Sequence, residues 1–412
     1  MKLKGSAVIR LFTVMMLFLF SFLPVSHLSA KENQKPFVSV YFPNWNVYSQ
    51  DYAQVKHLPW DRIDRIYHAF WKIEKNGNNY VICSSDPWAD TDPGNDKGHF
   101  AQYAQYAARF PHTEILLSIG GWTYSGLFSE MALTKEHRSG FINSCIDTLQ
   151  AYPFLDGIDL DWEYPGVARK GSGKDEGNPV KGDDYTNYTL LLKEMREAFD
   201  RAFGIGEKKI TVCAAGGLGN LKKQDYSSLH PYVDAINLMT YDLVSPNNVT
   251  SHHSPLYGQD SADTAVKYLL SCSVPAEKIF IGTPLYNHGW KLANPKKPAV
   301  GAAVSGKNHG GTMLWEALKK YENSAVPDGM PGWHTGYDEA AQAAYLWNDN
   351  PNSSHYGSFL SYESTRSLEA KLNYITDSQL GGIIVWQAGG DDASADWPMI
   401  SRMHKRFSVQ ND

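Results

Sequence analysis

Short apolar runs rich in β-branched and aromatic residues alternate along this chain with segments of helical periodicity. The apolar runs predict eight strands, at Phe37–Phe42, Arg65–Phe70, Glu114–Ile119, Gly157–Glu163, Ile210–Ala215, Ala235–Tyr241, Ile279–Leu285 and Gly381–Trp386. Apolar residues at helical spacing predict helices at Asp184–Phe203, Ser261–Ser271 and Ser367–Thr376. Repeated strand-and-helix units indicate an α/β fold, a closed parallel (β/α)8 barrel of the TIM type rather than an open sheet.

Two spacers are too long for simple crossovers between strands. Residues 72–95 are rich in Gly, Asn and Asp and predict a long loop. Residues 287–361 separate the seventh and eighth strands, and their aromatic content predicts a small core of their own. We interpret this segment as an α+β insertion standing on the barrel rim. Its tryptophans are Trp290, Trp315, Trp333 and Trp347.

The first thirty residues have the layout of a secretory signal peptide. A basic start is followed by an apolar run at 11–25 and by small residues ending at Ala30. The run is short for a membrane span, although an uncleaved anchor is the competing interpretation. Cleavage near Ala30 would leave residues 31–412 as the barrel domain, outside the membrane and secreted to the medium or the periplasm.

Composition describes a globular protein with little attraction to polyanions. Hydrophobic residues make up 42% of the 412 positions, and the net charge of −6 argues against nucleic acid and anionic membranes as partners. Four cysteines are scattered without metal-type spacing, and Cys213 lies in an apolar run typical of a buried strand. Aromatic residues reach 13%, which suits a sugar-binding cleft as well as a large core.

The fourth predicted strand carries an unusual row of acids. In FLDGIDLDWEYPG, residues 154–166, Asp159, Asp161 and Glu163 alternate with apolar residues and therefore share one face. Inside a barrel this face points inward, and Glu163 falls at the carboxyl end, where barrel enzymes have their active sites. Neighbouring acids on one face titrate together, so we expect a negative Asp161 to keep Glu163 protonated as a general acid.

Three interpretations of this row are open from the residues alone. The acids could be structural and paired with buried Arg or Lys, or they could bind a divalent metal, since hard cations favour carboxylates. No His or further Asp nearby strengthens the metal interpretation. The third interpretation is acid–base catalysis.

The motifs of this chain resemble those of glycoside hydrolase family 18, the chitinases. DGIDLDWEYP at 156–165 matches the family signature D-G-x-D-x-D-W-E-Y-P at every motif position. LLSIGGWTYS at 116–125, INLMTYD at 236–242 and LGGIIVWQAGGDD at 380–392 are similar to its third, sixth and eighth strands, in the same order. VYFPNWNVYSQDY, from residue 40, is similar to the first strand of bacterial and fungal members. The resemblance covers essentially all of residues 31–412.

The resemblance implies a substrate-assisted, retaining mechanism, in which the sugar supplies its own nucleophile. Glu163 would protonate the leaving glycosidic oxygen and later act as base. Asp161 would turn between Asp159 and the acetamido nitrogen of the substrate, and Tyr241 would donate a hydrogen bond to the acetamido oxygen. These four residues are the predicted catalytic set.

Other positions are predicted to bind substrate or support the acids. Asp242 should brace them, and Trp386 should form the floor beneath the distorted sugar. Tyr164 and Met239 either contact substrate or only pack around the site, and Ser118 either tunes Asp159 or fills the barrel. Three aromatic residues at the barrel top could stack on sugars: Trp45, Trp122 and Trp290. A fourth, Tyr41, is predicted to point inward by strand alternation.

Two positions depart from the family pattern. His288 follows the seventh strand where many members carry an arginine, and Gln387 follows Trp386 where many have glutamate. These departures bear on subsites and on substrate length, because neither touches the predicted catalytic set.

The expected function is that of a secreted, monomeric chitinase that cleaves β-1,4 bonds between N-acetylglucosamine units internally. Its partner would be chitin or chitooligosaccharides, and no cofactor or metal is expected. One alternative keeps the mechanism but acts on peptidoglycan or on the chitobiose core of N-glycans. Another is a non-catalytic sugar-binding protein, although such relatives typically lose the acid that this chain has at Glu163.

Overall fold

A computed structural model of the chain describes residues 35–48, 54–92, 98–245, 247–307, 315 and 332–408. The predicted signal peptide at 1–30 lies outside these ranges. Within them, no helix is both long enough and apolar enough to cross a bilayer.

Eight parallel strands among the described residues close into a barrel. The described strands are β1 (Phe37–Pro43), β2 (Arg65–Asn76), β3 (Asn79–Ser84), β4 (Glu114–Gly120), β5 (Gly157–Asp161), β6 (Lys209–Ala215), β7 (Ala235–Met239), β8 (Ile279–Pro284), β9 (His288–Leu292), β10 (Val304–Lys307), β11 (Trp333–Asp338), β12 (Ala343–Asn348), β13 (Ser358–Tyr362) and β14 (Gly382–Trp386). The barrel order is β1-β14-β8-β7-β6-β5-β4-β2, and β2 pairs with β1 to complete the ring. This confirms the predicted (β/α)8 fold.

Helices connect the barrel strands and cover their outer faces. The described α-helices are Pro87–Thr91, His99–Ala107, Phe128–Ala132, Lys135–Ala151, Asp184–Phe203, Leu218–Leu221, Tyr226–Leu229, Ala262–Ser271, Thr365–Asp377 and Pro398–Ser408. Ser261 and Ser364 each form a capping box, in which the serine hydroxyl accepts from a backbone N–H of the first turn. The three helices predicted from periodicity are present within two residues of their predicted bounds.

The predicted long loop at residues 72–95 is wrong where the structure describes it. β2 continues to Asn76 and turns back at Gly77, whose φ of +60° suits glycine, into the antiparallel β3. Asp86 then caps the short helix Pro87–Thr91. The Gly and Asn residues therefore mark a hairpin turn rather than an unstructured segment.

The insertion between the seventh and eighth barrel strands forms its own antiparallel sheet, in the order β10-β9-β13-β12-β11. A small core of Trp290, Leu292 and Phe359 packs under this sheet. Trp315 is helical and buried. Most of the other residues between β10 and β11 lie outside the described ranges. The helical part predicted for the insertion stays a prediction there.

The strand that carries the acids is oriented by its apolar face. Ile158, Leu160 and Trp162 are buried in the main core outside the barrel. The Trp162 ring packs edge to face with Tyr188 of the helix Asp184–Phe203, with ring centroids 5.2 Å apart. Because side chains alternate along a strand, burial of this face against the helix turns the acids toward the barrel axis.

Candidate active site

The acid row begins in β5 and continues just beyond it. Ser118 and Gly120 of β4 lie opposite Asp159 and Asp161, and β5 ends at Asp161. Glu163 therefore lies two residues past the end of β5. The sequence had predicted that it lies within the strand. The hydroxyl of Ser125 accepts a hydrogen bond of 2.9 Å from the Glu163 backbone N–H, which holds the chain where it leaves the barrel.

Asp159 is fully buried and saturated with hydrogen bonds from neutral groups. Its Oδ2 accepts from Ser118 Oγ at 2.7 Å and from Tyr41 Oη at 3.1 Å. Its Oδ1 accepts from Thr211 Oγ1 at 2.5 Å and from Asn237 Nδ2 at 3.3 Å. Burial raises the pKa of Asp159, and the hydrogen bonds from Thr211, Ser118 and Tyr41 oppose that shift.

Three members of this network were not among the predicted site residues. Thr211, Cys213 and Asn237 face Asp159 from β6 and β7, and the Cys213 thiol also lies 2.9 Å from the Tyr41 hydroxyl. The available signal was a polar residue at an inward-facing position of an apolar strand. This signal identifies candidate members of the Asp159 network only after the register of the strands is known.

Asp161 differs from Asp159 in having an unsatisfied oxygen. Its side chain is buried, and its Oδ1 has no hydrogen-bond partner among the described residues. Burial raises the pKa of Asp161 well above its ordinary value, and the charges of Glu163 and Asp159 add to the increase. An acceptor left without a partner in an apolar environment is costly, so this oxygen is prepared for a donor that arrives from outside.

Glu163 has the titration expected of a general acid, but the main cause differs from the prediction. Burial raises its pKa to about 7, a hydrogen bond from Tyr164 opposes the shift, and the charge of Asp242 adds to it. From the sequence, a negative Asp161 was expected to keep Glu163 protonated. The low polarity around the carboxyl group is the larger effect.

A cleft of about 1090 Å³ opens beside the acid row at the carboxyl ends of the strands. Six of the predicted residues line it together: Trp122, Glu163, Tyr164, Met239, Tyr241 and Asp242. The insertion contributes His288 and Ala341 to the same wall. A volume of this size exceeds the usual range for drug-sized ligands and suits an extended one.

Asp242 lies on the cleft wall in a left-handed backbone conformation, with φ of +58°. Its Oδ1 lies 2.6 Å from both the Tyr286 hydroxyl and His288 Nε2. The partial burial of Asp242 acts to raise its pKa, but the hydrogen bond from His288 and the nearby His253 lower it below its ordinary value. The lowered pKa favours the ionised form of Asp242.

Tyr241 is buried beside the cleft with its ring held between neighbours. It packs edge to face with Tyr286, with centroids 6.3 Å apart. A side chain on Gly282 would approach the Tyr241 ring to 2.6 Å, so glycine is required there to admit the ring. This packing fixes the orientation of the Tyr241 ring, which lines the cleft.

Trp386 belongs to a second aromatic group at the barrel mouth. Its ring stacks on Phe70 with centroids 5.6 Å apart and lies 6.2 Å from Trp45, which is 45% exposed. Tyr41 lies beneath Trp386 and is 1% exposed. Its hydroxyl hydrogen-bonds to Asp159, so Tyr41 belongs to the inner network and not to the surface that a sugar could reach.

The predicted tryptophans at the barrel top have different environments. Trp122 is 51% exposed, and the Arg169 guanidinium lies over its ring at 3.7 Å. Trp290 is 3% exposed in the core of the insertion, so its prediction as a stacking platform is wrong. Alternation along β9 points His288 and Trp290 to the same face, but only His288 reaches the cleft.

A pair of exposed aromatic rings was missed by the sequence analysis. Tyr48 and Trp88 stack with centroids 5.6 Å apart, and both are more than half exposed. Tyr48 lies in the same helical turn as Trp45, and its hydroxyl donates to Asp86 at 2.6 Å. Trp88 lies in the segment predicted as a loop, which concealed its proximity to the barrel mouth.

Gly120 and Gly121 make room for the backbone and the aromatic ring beside the site. Their φ values are +109° and +72°, in the region that favours glycine. A side chain on Gly120 would meet the Asp161 carbonyl oxygen at 2.3 Å, and one on Gly121 would meet the Phe70 ring at 2.6 Å.

Chitinases are among the known proteins whose sequences are similar to this chain. Chitinase C of Streptomyces lividans is 31% identical over 391 residues, which cover 87% of this chain and 58% of that protein. Chitinase A of Pseudoalteromonas piscicida is 28% identical over 423 residues, covering 85% of this chain and 50% of that one. This chain therefore spans about half the length of these relatives.

A solved structure shares the whole architecture. The Group IV chitinase of Ostrinia furnacalis, in complex with allosamidin, superposes with a TM-score of 0.77 at 25% identity. The match covers 91% of this chain and 99% of that one. Residues 38–391 match the family described as glycosyl hydrolases family 18. The chain belongs to this family.

Proposed function

We propose that this chain is a chitinase that cleaves β-1,4 bonds between N-acetylglucosamine units by substrate-assisted catalysis. The observation that carries the proposal is the contrast within the acid row. Asp159 is saturated by donors of the protein, whereas Asp161 retains a buried oxygen without a partner beside the cleft. An amide N–H of the substrate is the donor that this oxygen lacks.

Glu163 is the general acid in this proposal. With a pKa of about 7, about half of the Glu163 carboxyl groups carry a proton at pH 7, and this proton can be transferred to the glycosidic oxygen as the bond breaks. The same carboxylate then accepts a proton from the water that opens the oxazolinium ion, so the anomeric configuration is retained. The Ser125 contact to its backbone keeps the acid in place through both steps.

Asp161 and Tyr241 hold the acetamido group in the position for attack. Asp161 accepts the N–H and stabilises the positive charge that develops on the ring of the intermediate, while Tyr241 donates to the acetamido oxygen. Orienting an internal nucleophile in this way replaces a bimolecular encounter, an effect of up to about 7–11 kcal/mol at ideal geometry. No protein nucleophile is needed, which explains why a single general acid serves the site.

The volume of the cleft supports a polymer as substrate and cleavage within the chain. Exposed aromatic rings at both Trp122 and Trp45 offer stacking surfaces on sugar faces. The insertion adds a wall to the cleft, and two relatives of matching length, from Metarhizium, carry the name endochitinase. Export after cleavage near Ala30 and action as a monomer complete the proposal.

A defined hexamer of N-acetylglucosamine tests the reaction. We expect internal products of two to four sugars, released first as the β-anomer, measured by chromatography that separates anomers. The fully deacetylated hexamer lacks the nucleophile and should not be cut. Equal cleavage of both hexamers, or release of α-anomer, would refute substrate assistance. Mass spectrometry of the exported protein tests processing after Ala30.

A further inference from the structure

A second group of ionisable side chains meets at the cleft wall, outside the acid row. It consists of Asp242 after β7, His253 in the following loop and His288 at the start of β9. The Asp242 Oδ1 lies 2.6 Å from His288 Nε2 and 3.9 Å from His253 Nδ1. One ligand atom from each of the three residues lies within 4.8 Å of the others.

His253 is the unusual member of this cluster. Its side chain is fully buried, and neither ring nitrogen has a hydrogen-bond partner among the described residues. Its backbone is fixed on both sides, because its N–H donates to Ser361 Oγ at 3.0 Å and its carbonyl accepts from Leu243 N at 2.9 Å. A buried imidazole without a partner is costly, so its Nδ1, directed at Asp242, indicates a missing ligand.

The donor set selects a class of ligand. Two imidazole nitrogens and one carboxylate oxygen are typical of Zn²⁺ and similar transition metals, whereas Mg²⁺ and Ca²⁺ prefer oxygen alone. Bonds of about 2.0–2.2 Å from one ion place neighbouring ligand atoms roughly 3–3.5 Å apart. Changes of up to about 2 Å in the present separations would reach that arrangement, since the ligand atoms now lie within 4.8 Å of one another.

The cluster is accessible to an ion from the cleft. The Asp242 side chain is 56% exposed, and both Asp242 and His288 line the cleft, while His253 closes the site from behind. Three protein ligands leave a further coordination position directed at the cleft, for water or a hydroxyl group. The described cluster of His68, Asp90 and His99, by contrast, is completely buried.

We propose that Asp242, His253 and His288 form a binding site for one divalent transition metal ion of the Zn²⁺ class, on the wall of the cleft. The ion is a regulatory ligand and takes no part in the hydrolytic steps. Binding replaces the hydrogen bond between His288 and Asp242, with His288 in the tautomer that carries its proton on Nδ1. A bound ion occupies space in the cleft that Glu163 also lines, so it inhibits competitively, a consequence that rests on the proposed function.

Calorimetric titration of the chelator-treated full chain with Zn²⁺ tests the site. We expect one site, with Co²⁺ and Ni²⁺ binding the same site and Mg²⁺ not binding. His288→Arg is the decisive variant, because arginine cannot bind a metal but keeps a donor for Asp242. This variant should weaken Zn²⁺ binding by at least about 10–100-fold, because removing even a hydrogen-bond partner of a metal ligand typically costs that much affinity. His253→Gln should have a similar effect.

His334→Gln is the matched control. His334 Nε2 also contacts an aspartate, Asp349, at 2.9 Å, but among the described residues no third ligand group joins this exposed pair. The control should bind Zn²⁺ like the parent chain. Unchanged affinity in His288→Arg, or no binding by the parent chain, would overturn the proposal. Because calorimetry needs no substrate, a chain that binds zinc but cleaves no chitin would refute only the proposed function.

Discussion

Two buried carboxylates of this barrel have opposite surroundings. Glu363, after β13, is paired with the fully buried Lys371 and also accepts hydrogen bonds from Thr283 and Ser367, each at 2.5 Å. Asp159 is equally buried, but its donors are hydroxyl, amide and thiol groups. The first arrangement neutralises a charge permanently. The second leaves the acid row able to gain and lose a proton.

This comparison separates the interpretations that the sequence left open. A structural acid is matched by a cation, because an unpaired charge in the interior is costly. Among the described residues no cation is paired with Asp161, and the unsatisfied oxygen of its carboxylate adds to the cost of burying it. Proteins retain such costs mainly at functional sites.

The largest expected effect is on turnover. Glu163→Gln keeps the shape of the side chain but removes the proton, so hydrolysis of the hexamer should fall by about 10⁴-fold, the upper range for general acid catalysis. Binding of chitooligosaccharides, measured by calorimetry, should be retained. A variant that still turns over at a tenth of the parent rate would exclude Glu163 as the acid.

Breaking the structural pair should affect stability instead. Lys371→Met leaves Glu363 charged and unpaired in the interior, which should cost about 3–5 kcal/mol in the free energy of unfolding. Denaturant titration measures the change. Glu363→Gln combined with Lys371→Met should recover most of the loss, and a single variant within 1 kcal/mol of the parent would show that the pair is not structural.

Asp161→Asn should have opposite effects on activity and stability. Loss of a transition-state contact should lower kcat by roughly 10²-fold. The folded-state pKa of Asp161 is raised, so the folded protein holds a proton that the unfolded chain releases, and its contribution to stability declines as pH rises above the unfolded value.

The variant has no group to ionise at this position and should therefore be more stable than the parent at pH 8, by about 1 kcal/mol or more, since one unit of pKa shift corresponds to about 1.4 kcal/mol. The difference in the free energy of unfolding between variant and parent should narrow toward pH 4. Denaturant titrations at both pH values measure it, and a destabilised variant at pH 8 would contradict the assigned environment of Asp161.

The smallest effect concerns pH dependence. Because Glu163 must be protonated, kcat/KM should fall as pH rises through about 7. The Asp242 charge contributes to that raised pKa, so Asp242→Asn should move this limb to lower pH by up to about one unit. The profiles should be recorded with chelator present, to exclude a metal effect. A shift to higher pH would reverse the electrostatic assignment.

Some features of the site follow from local pattern and others do not. The inward orientation of Asp159 and Asp161 follows from strand alternation beside an apolar face, so sequence was sufficient for these two acids. Trp290 shows the limit, because its exposure depends on which face of the insertion sheet is covered. His253 was not identified at all, since its loop has no periodicity and its partners are distant in the chain.

By itself, the sequence determined the barrel, the strand that carries the acids and their order from the interior to the rim. These features follow from periodicity and from residue types along one segment. Only the tertiary structure decided which acid is saturated, which retains a free oxygen, and that burial sets the pKa of Glu163. Those properties depend on donors and low polarity contributed by β1, β4, β6 and β7, and no single stretch of sequence contains them.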